Sequence, residues 1–182
     1  MKITPTNFHG LVIIEPTIFR DLRGFFMEAF NEQILKKHGI SMHFVQDNQS
    51  YSKKAVIRGL HFQKPPYAQT KLVRVLSGTI LDVAVDLRRD QPTYRKAYSL
   101  ELSAESQKQL LIPRGFAHGF SVISEEAEVL YKSDEYYHPE AEGGIFCNDP
   151  ELAIDWGLNQ QEPIISKKDL ALPLCKELTL DF

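Results

Sequence analysis

From residue 71 to 90 apolar and polar positions alternate with the period of a strand. Val83, Val85 and Leu87 fall on one face, and Asp82, Ala84 and Asp86 on the other. Ser77-Gly78 separates this run from Lys71-Leu72-Val73-Arg74-Val75, a spacing that predicts a hairpin between the two. Further β-prone runs cover 11–14, 25–30, 55–62, 97–102, 109–112, 116–123 and 128–131. Short strands punctuated by Gly and Pro predict a mainly β sandwich or barrel. Helices are few. Asn31 can cap a segment over 32–38 that stops at Gly39, and Ser166 with Asp169 three residues later has capping-box spacing ahead of Pro173. No repeat or linker interrupts the pattern, so one domain over 1–182 is expected.

Composition agrees with that picture. With 182 residues, 43% hydrophobic and 25% charged, the chain is long enough to bury one sizeable core. Lys and Arg number 21 against 24 Asp and Glu, a formal charge of -3, so no broad basic field recruits nucleic acid or an anionic membrane. The start, Met1-Lys2-Ile3-Thr4-Pro5, has no apolar leader, and no apolar run nears the roughly 18 residues of a spanning helix. A cytoplasmic location is therefore expected. The two cysteines, Cys147 and Cys175, lack the close pairing of zinc or redox motifs and read as free packing thiols.

Candidate chemistry centres on His61, in Val56-Ile57-Arg58-Gly59-Leu60-His61-Phe62-Gln63. Strand alternation there puts Gly59, His61 and Gln63 on one face. A polar face inside a small barrel suggests a lined pocket, although a hydrogen-bonded core histidine is the commoner fate of a lone His. His118 could join His61 on a metal, but no His-x-His pair or suitably spaced carboxylate completes a ligand set, so no metal and no other cofactor is expected. Metal-free carbanion chemistry beside a carbonyl needs a base and a cation for the developing oxyanion, and His61 and Lys71 supply those types. Tyr131 is a candidate donor on the opposite face, or else a core-edge aromatic. Arg23, Arg58 and Arg114 each precede a glycine, where a guanidinium and bare backbone can approach a diphosphate or simply flank a turn.

Six segments in order carry a family resemblance. They are Asp21-Leu22-Arg23-Gly24-Phe25-Phe26, Phe44-Val45-Gln46-Asp47-Asn48, Arg58 to Gln63, Lys71-Leu72-Val73-Arg74, Asp82 to Arg88, and Ile112-Pro113-Arg114-Gly115-Phe116-Ala117-His118-Gly119-Phe120. Together they resemble the dTDP-4-dehydrorhamnose 3,5-epimerases, which are cupin-like (jelly-roll) barrels. The resemblance implies proton removal at C3 and C5 of dTDP-4-dehydro-6-deoxyglucose, both beside the C4 ketone. His61 would be the base, Asp169 its orienting carboxylate, Lys71 the stabiliser of the enolate oxygen and Tyr131 the donor. Arg23, Phe26, Glu28, Gln46, Asn48, Arg58, His118, Glu142 and Lys168 would surround the nucleotide and sugar, with Phe19 and Tyr137 stacking near thymine.

The family also implies a homodimer in which the N-terminal segment, about 1–50, reaches the neighbouring site, with the barrel over about 51–150 and a C-terminal helical segment over 151–182. Three other functions compete: a relative inverting C3 or C5 alone or moving the carbonyl, a non-enzymatic sugar-nucleotide binder, and a metal-dependent cupin. Tyr131 favours epimerisation over moving the carbonyl, and the joint presence of His61, Lys71 and Tyr131 counts against the non-enzymatic binder.

Overall fold

The computed structural model describes residues 1–179 and 182. Two antiparallel sheets face each other. The larger joins β1 (Lys2–Pro5), β2 (Val12–Glu15), β10 (Gln109–Ile112), β7 (Lys71–Ser77), β12 (Glu126–Ser133) and β5 (Gln46–Lys53) in that spatial order. The smaller joins β13 (Glu142–Gly144), β6 (Ile57–Gln63), β11 (Phe116–Val122), β8 (Thr79–Asp86) and β9 (Ala97–Ser103). A separate hairpin pairs β3 (Ile18–Asp21) with β4 (Gly24–Met27). The result is the cupin-like jelly-roll barrel, mainly β and a single domain. Its larger sheet takes β1 and β2 from the N-terminal segment.

Alternation explains the core. Val73, Val75 and Val129 from the larger sheet meet Ile80, Ala84, Phe116, Phe120 and Val122 from the smaller one in the barrel interior. The other face of the smaller sheet buries Ile57, Leu60, Val83, Val85 and Ala117 against Ile145, Trp156, and both free thiols, Cys147 and Cys175. Fully burying such an aliphatic side chain stabilises by about 1.5–3 kcal/mol. Because β8 is covered on both faces, its polar Asp82 and Asp86 end up buried.

The expected hairpin between 71–75 and the 82–87 run does not form. β7 pairs with β10 and β12, whereas β8 pairs with β9 and β11. Both strands send alternate residues into the same interior, and that favours stacking face to face over pairing edge to edge. Gly78, at φ +77, makes the change of sheet, and a Cβ there would collide with the Glu126 carbonyl.

The two α-helices among the described residues follow their caps. In α1 (Glu32–Lys37) the Asn31 side chain accepts from the amides of Gln33 and Ile34. In α2 (Lys167–Leu170) the Ser166 hydroxyl accepts from the Asp169 amide at 3.0 Å. Among the described residues no helix is long and apolar enough to cross a membrane.

Candidate active site

Strand β6 departs from simple alternation. His61 pairs with His118 and Arg58 with Phe120, so two residues of β6, Gly59 and Leu60, oppose the single Gly119 of β11, a bulge. Arg58 and His61 therefore both reach the interior, while Ile57, Leu60 and Phe62 face the outer core. The shared face expected for Gly59, His61 and Gln63 is lost. Gly59 instead fills the closest approach of the two strands, where a Cβ would lie 2.6 Å from the His118 carbonyl oxygen. Gln63 is buried, donating to the Tyr67 and Tyr136 carbonyls and accepting from the His138 amide.

A cavity of about 630 Å³ opens between the sheets. The smaller sheet contributes Arg58, His61 and His118, and the larger contributes Asn48, Lys71 and Tyr131. Ser166, Lys168 and Asp169 close it from the C-terminal segment. His61 Nε2 donates to Asp169 Oδ1 at 2.7 Å, which leaves Nδ1 with its lone pair free. Burial pushes the His61 pKa below the usual imidazole value and Lys71 assists, while the Asp169 hydrogen bond opposes. Asp169 reconciles its two expected roles: its amide is capped by Ser166 and its carboxylate holds His61.

The facing wall is complementary. The Lys71 ammonium lies 5.6 Å from the centre of the Tyr131 ring. Burial pulls the Lys71 pKa down to about 8, against the pull of Asp82 and Glu142. Tyr131 meets His118 edge to face, with ring centres 6.5 Å apart. Burial pushes its phenol up, partly countered by Arg58, so it holds its proton at neutral pH.

The rim gathers other expected contacts. Glu142 accepts from Lys168 at 2.7 Å and from the Tyr137 hydroxyl at 2.8 Å, and these bonds outweigh burial and hold its carboxyl low. Gln46 donates to Asn48 and accepts from the Tyr137 amide. Arg58 is steadied by Ser52 and the Tyr51 carbonyl. Four expected residues do not reach this cavity within one chain. Phe19 and Phe26 stand exposed on the β3–β4 hairpin, Arg23 pairs with Asp21 at its tip, and Glu28 accepts from Asn31. Arg114 lies elsewhere, on Asp134.

Sequence reasoning missed Gln49, Ser50, Ile164 and Ile165 in the cavity wall. Ile164 arrives through a parallel bridge to Val56, a pairing across more than a hundred residues that no local pattern announces. Each cavity histidine already spends Nε2 on a carboxylate. Among the described residues no three His, Cys, Asp or Glu converge as a metal set.

Acid and base groups on facing sheets are what an isomerase needs to work both sides of one carbon, and that is the class this cupin-like barrel defines. A family model described as dTDP-4-dehydrorhamnose 3,5-epimerase matches residues 5–177. The dTDP-4-dehydrorhamnose 3,5-epimerase of Salmonella typhimurium is 48% identical over 181 residues, covering 99% of this chain and 98% of that one. Its counterpart in Methanothermobacter thermautotrophicus is 50% identical over 169 residues, covering 92% and 91%. A crystal structure of dTDP-6-deoxy-D-glucose-3,5-epimerase from Legionella pneumophila, in complex with dTDP-4-keto-L-rhamnose, superposes with a TM-score of 0.93 at 47% identity, covering 98% of this chain and 94% of that chain. The chain belongs to the dTDP-4-dehydrorhamnose 3,5-epimerase family of isomerases.

Proposed function

We propose that the protein epimerises dTDP-4-dehydro-6-deoxy-D-glucose at C3 and C5, giving dTDP-4-dehydro-L-rhamnose for dTDP-L-rhamnose biosynthesis, with no metal or other cofactor. The observation that carries this reading is that His61 and Tyr131 stand on opposite sheets around one cavity. Inversion requires that a proton leave one face of a carbon and another arrive on the opposite face. His61 Nδ1 takes the proton from C3 or C5, and the C–H electron pair moves into an enolate whose charge gathers on the C4 oxygen. Lys71 donates to that oxygen, and the Tyr131 hydroxyl gives its proton to the far face of the carbon. Solvent then resets both side chains. Asp169 keeps Nε2 protonated, so the basic lone pair points into the cavity.

The nucleotide half follows from charge and aromaticity. Arg58, Lys168, Asn48 and His118 line the wall, with Gln46, Glu142 and Tyr137 at the rim. Phe19, Arg23, Phe26 and Glu28 serve a second copy's site: the protein works as a homodimer whose N-terminal hairpin crosses to its neighbour. The exposure of Phe19, Phe25 and Phe26 supports this, because a hairpin this apolar gains from being covered. Residues 1–50 thus serve both barrel edge and dimer contact. A charged, water-soluble sugar nucleotide as substrate supports a cytoplasmic location.

Incubation with dTDP-4-dehydro-6-deoxyglucose in heavy water, followed by proton NMR, tests the reaction. Deuterium at C3 and C5 is expected. Incorporation at one carbon alone identifies a mono-epimerase, and none at either refutes the reading. Tyr131→Phe keeps some exchange but yields less inverted product. Equal loss of both removes Tyr131 from the donor role.

A further inference from the structure

A second histidine–carboxylate pair sits beside the first. His118 Nε2 donates to Asp82 Oδ1 at 2.7 Å, and both side chains are buried. The ring lines the cavity, but Asp82 does not; it lies behind His118 on the inner face of β8. With Nε2 committed, the remaining ring nitrogen, Nδ1, is the one left to face the cavity, and among the described residues it has no hydrogen-bond partner.

The other oxygen of Asp82 is an anomaly. Asp82 Oδ2 is buried without a partner, one of only four such side-chain atoms among the described residues. A second of the four, Ser133 Oγ, belongs to the residue that pairs in register with Lys71. Leaving a buried polar atom unpaired costs about 1–3 kcal/mol, more for a charged group. Two such atoms near one lysine call for a reason. Lys71 itself has neither hydrogen bond nor ion pair among the described residues.

We propose that Asp82 is a positioning residue for this site: one oxygen fixes the His118 ring with Nδ1 toward the cavity, and the other supplies the fixed negative charge for the Lys71 ammonium. The chemical significance for the substrate rests on the epimerase reading, while the geometry does not. An ammonium with no direct partner stays free to donate to an enolate oxygen, and a carboxylate held off at a distance keeps it charged without capturing it. Lys71 shares the cavity with Arg58 and His61 of β6, His118 of β11 and Tyr131 of β12, and feels the charges of Asp82 on β8 and Glu142 on β13. Of these, Asp82 and Glu142 raise the lysine's affinity for its proton, with Asp82 the stronger. Glu142 already spends its charge on Lys168.

Two readouts need no substrate, so they stand or fall separately from the epimerase reading. In wild-type protein, two-bond proton–nitrogen NMR of the His118 ring reports whether Nε2 carries a proton. A protonated Nε2 is expected, and an unprotonated one overturns the proposal. In Asp82→Asn, with Asp82→Ser as a second variant, the Lys71 titration followed by carbon NMR of labelled lysine moves roughly one pH unit below its wild-type midpoint. An unmoved midpoint in a folded variant overturns the charge role. If neither variant folds, the wild-type ring measurement still decides the orientation on which the proposal depends.

Discussion

Two His–Asp pairs, His61–Asp169 and His118–Asp82, lie side by side with the same bond length, 2.7 Å from Nε2 to Oδ1, on residues that face each other across paired strands. Their settings differ. His61 keeps 33% of its side-chain surface exposed, and its carboxylate comes from a short helix laid over the barrel, whereas His118 keeps 6% and its carboxylate is sealed at 0% inside the sheet. A base must reach the substrate and exchange its proton with solvent, which the open pair allows. The sealed pair offers the cavity one ring edge that can hold a ligand, while its buried carboxylate only orients and charges its surroundings. The same two residue types thus take different work from burial alone.

The sharpest break of this comparison is His61→Ala against His118→Ala. Loss of a general base costs about 10²–10⁴ in rate, so His61→Ala slows deuterium uptake at both carbons by that factor while His118→Ala keeps most of the uptake rate with a raised KM. Equal loss in the two variants would erase the distinction.

Asp169→Asn comes next, because it leaves the amide cap from Ser166 in place while losing the carboxylate that sets the His61 tautomer. A fall of about 10² in kcat/KM is expected with only a small change in melting temperature. Ser166→Ala should do the reverse, lowering stability by about 1 kcal/mol with little change in the labelling rate.

A smaller effect is the pH profile. In the proposed reaction His61 must be neutral to accept a proton, and its pKa is held below 6.5, so kcat/KM is expected to rise with pH through a midpoint below 6.5. As the proposed partner of the enolate oxygen Lys71 must be charged, and its pKa is lowered to about 8, so activity is expected to fall as pH rises beyond it, about tenfold by roughly pH 9. Lys71→Arg should move the alkaline limb out of range in whatever activity remains. A limb that stays near 8 in that variant would assign it to another group.

Much of this was legible in the chain. Asn31 and Ser166 announced both helices because caps act locally, and short alternating runs announced a β barrel because burial of one face imposes the period. The partnership of β7 and β8 was not legible. Alternation specifies which side of a strand is buried, but two strands feeding one interior can pair or stack, and stacking is selected because β10 and β12 take both edges of β7 while β9 and β11 take both edges of β8. The same limit hid the β6 bulge, which needs the close approach of Gly119 to Gly59 across the sheet.

For the site, the sequence by itself singled out His61, Lys71 and Tyr131 as candidates, because proton transfer beside a carbonyl restricts which side chains can serve, and the fold brings the three to one cavity. Tertiary structure decided which carboxylate serves which histidine. Asp169 reaches His61 from 108 positions away, and Asp82, an ordinary strand residue in the linear pattern, is drawn under His118. Bond partners at such separations depend on how sheets close, and burial, which divides a base from its support, is a property of the closed barrel alone.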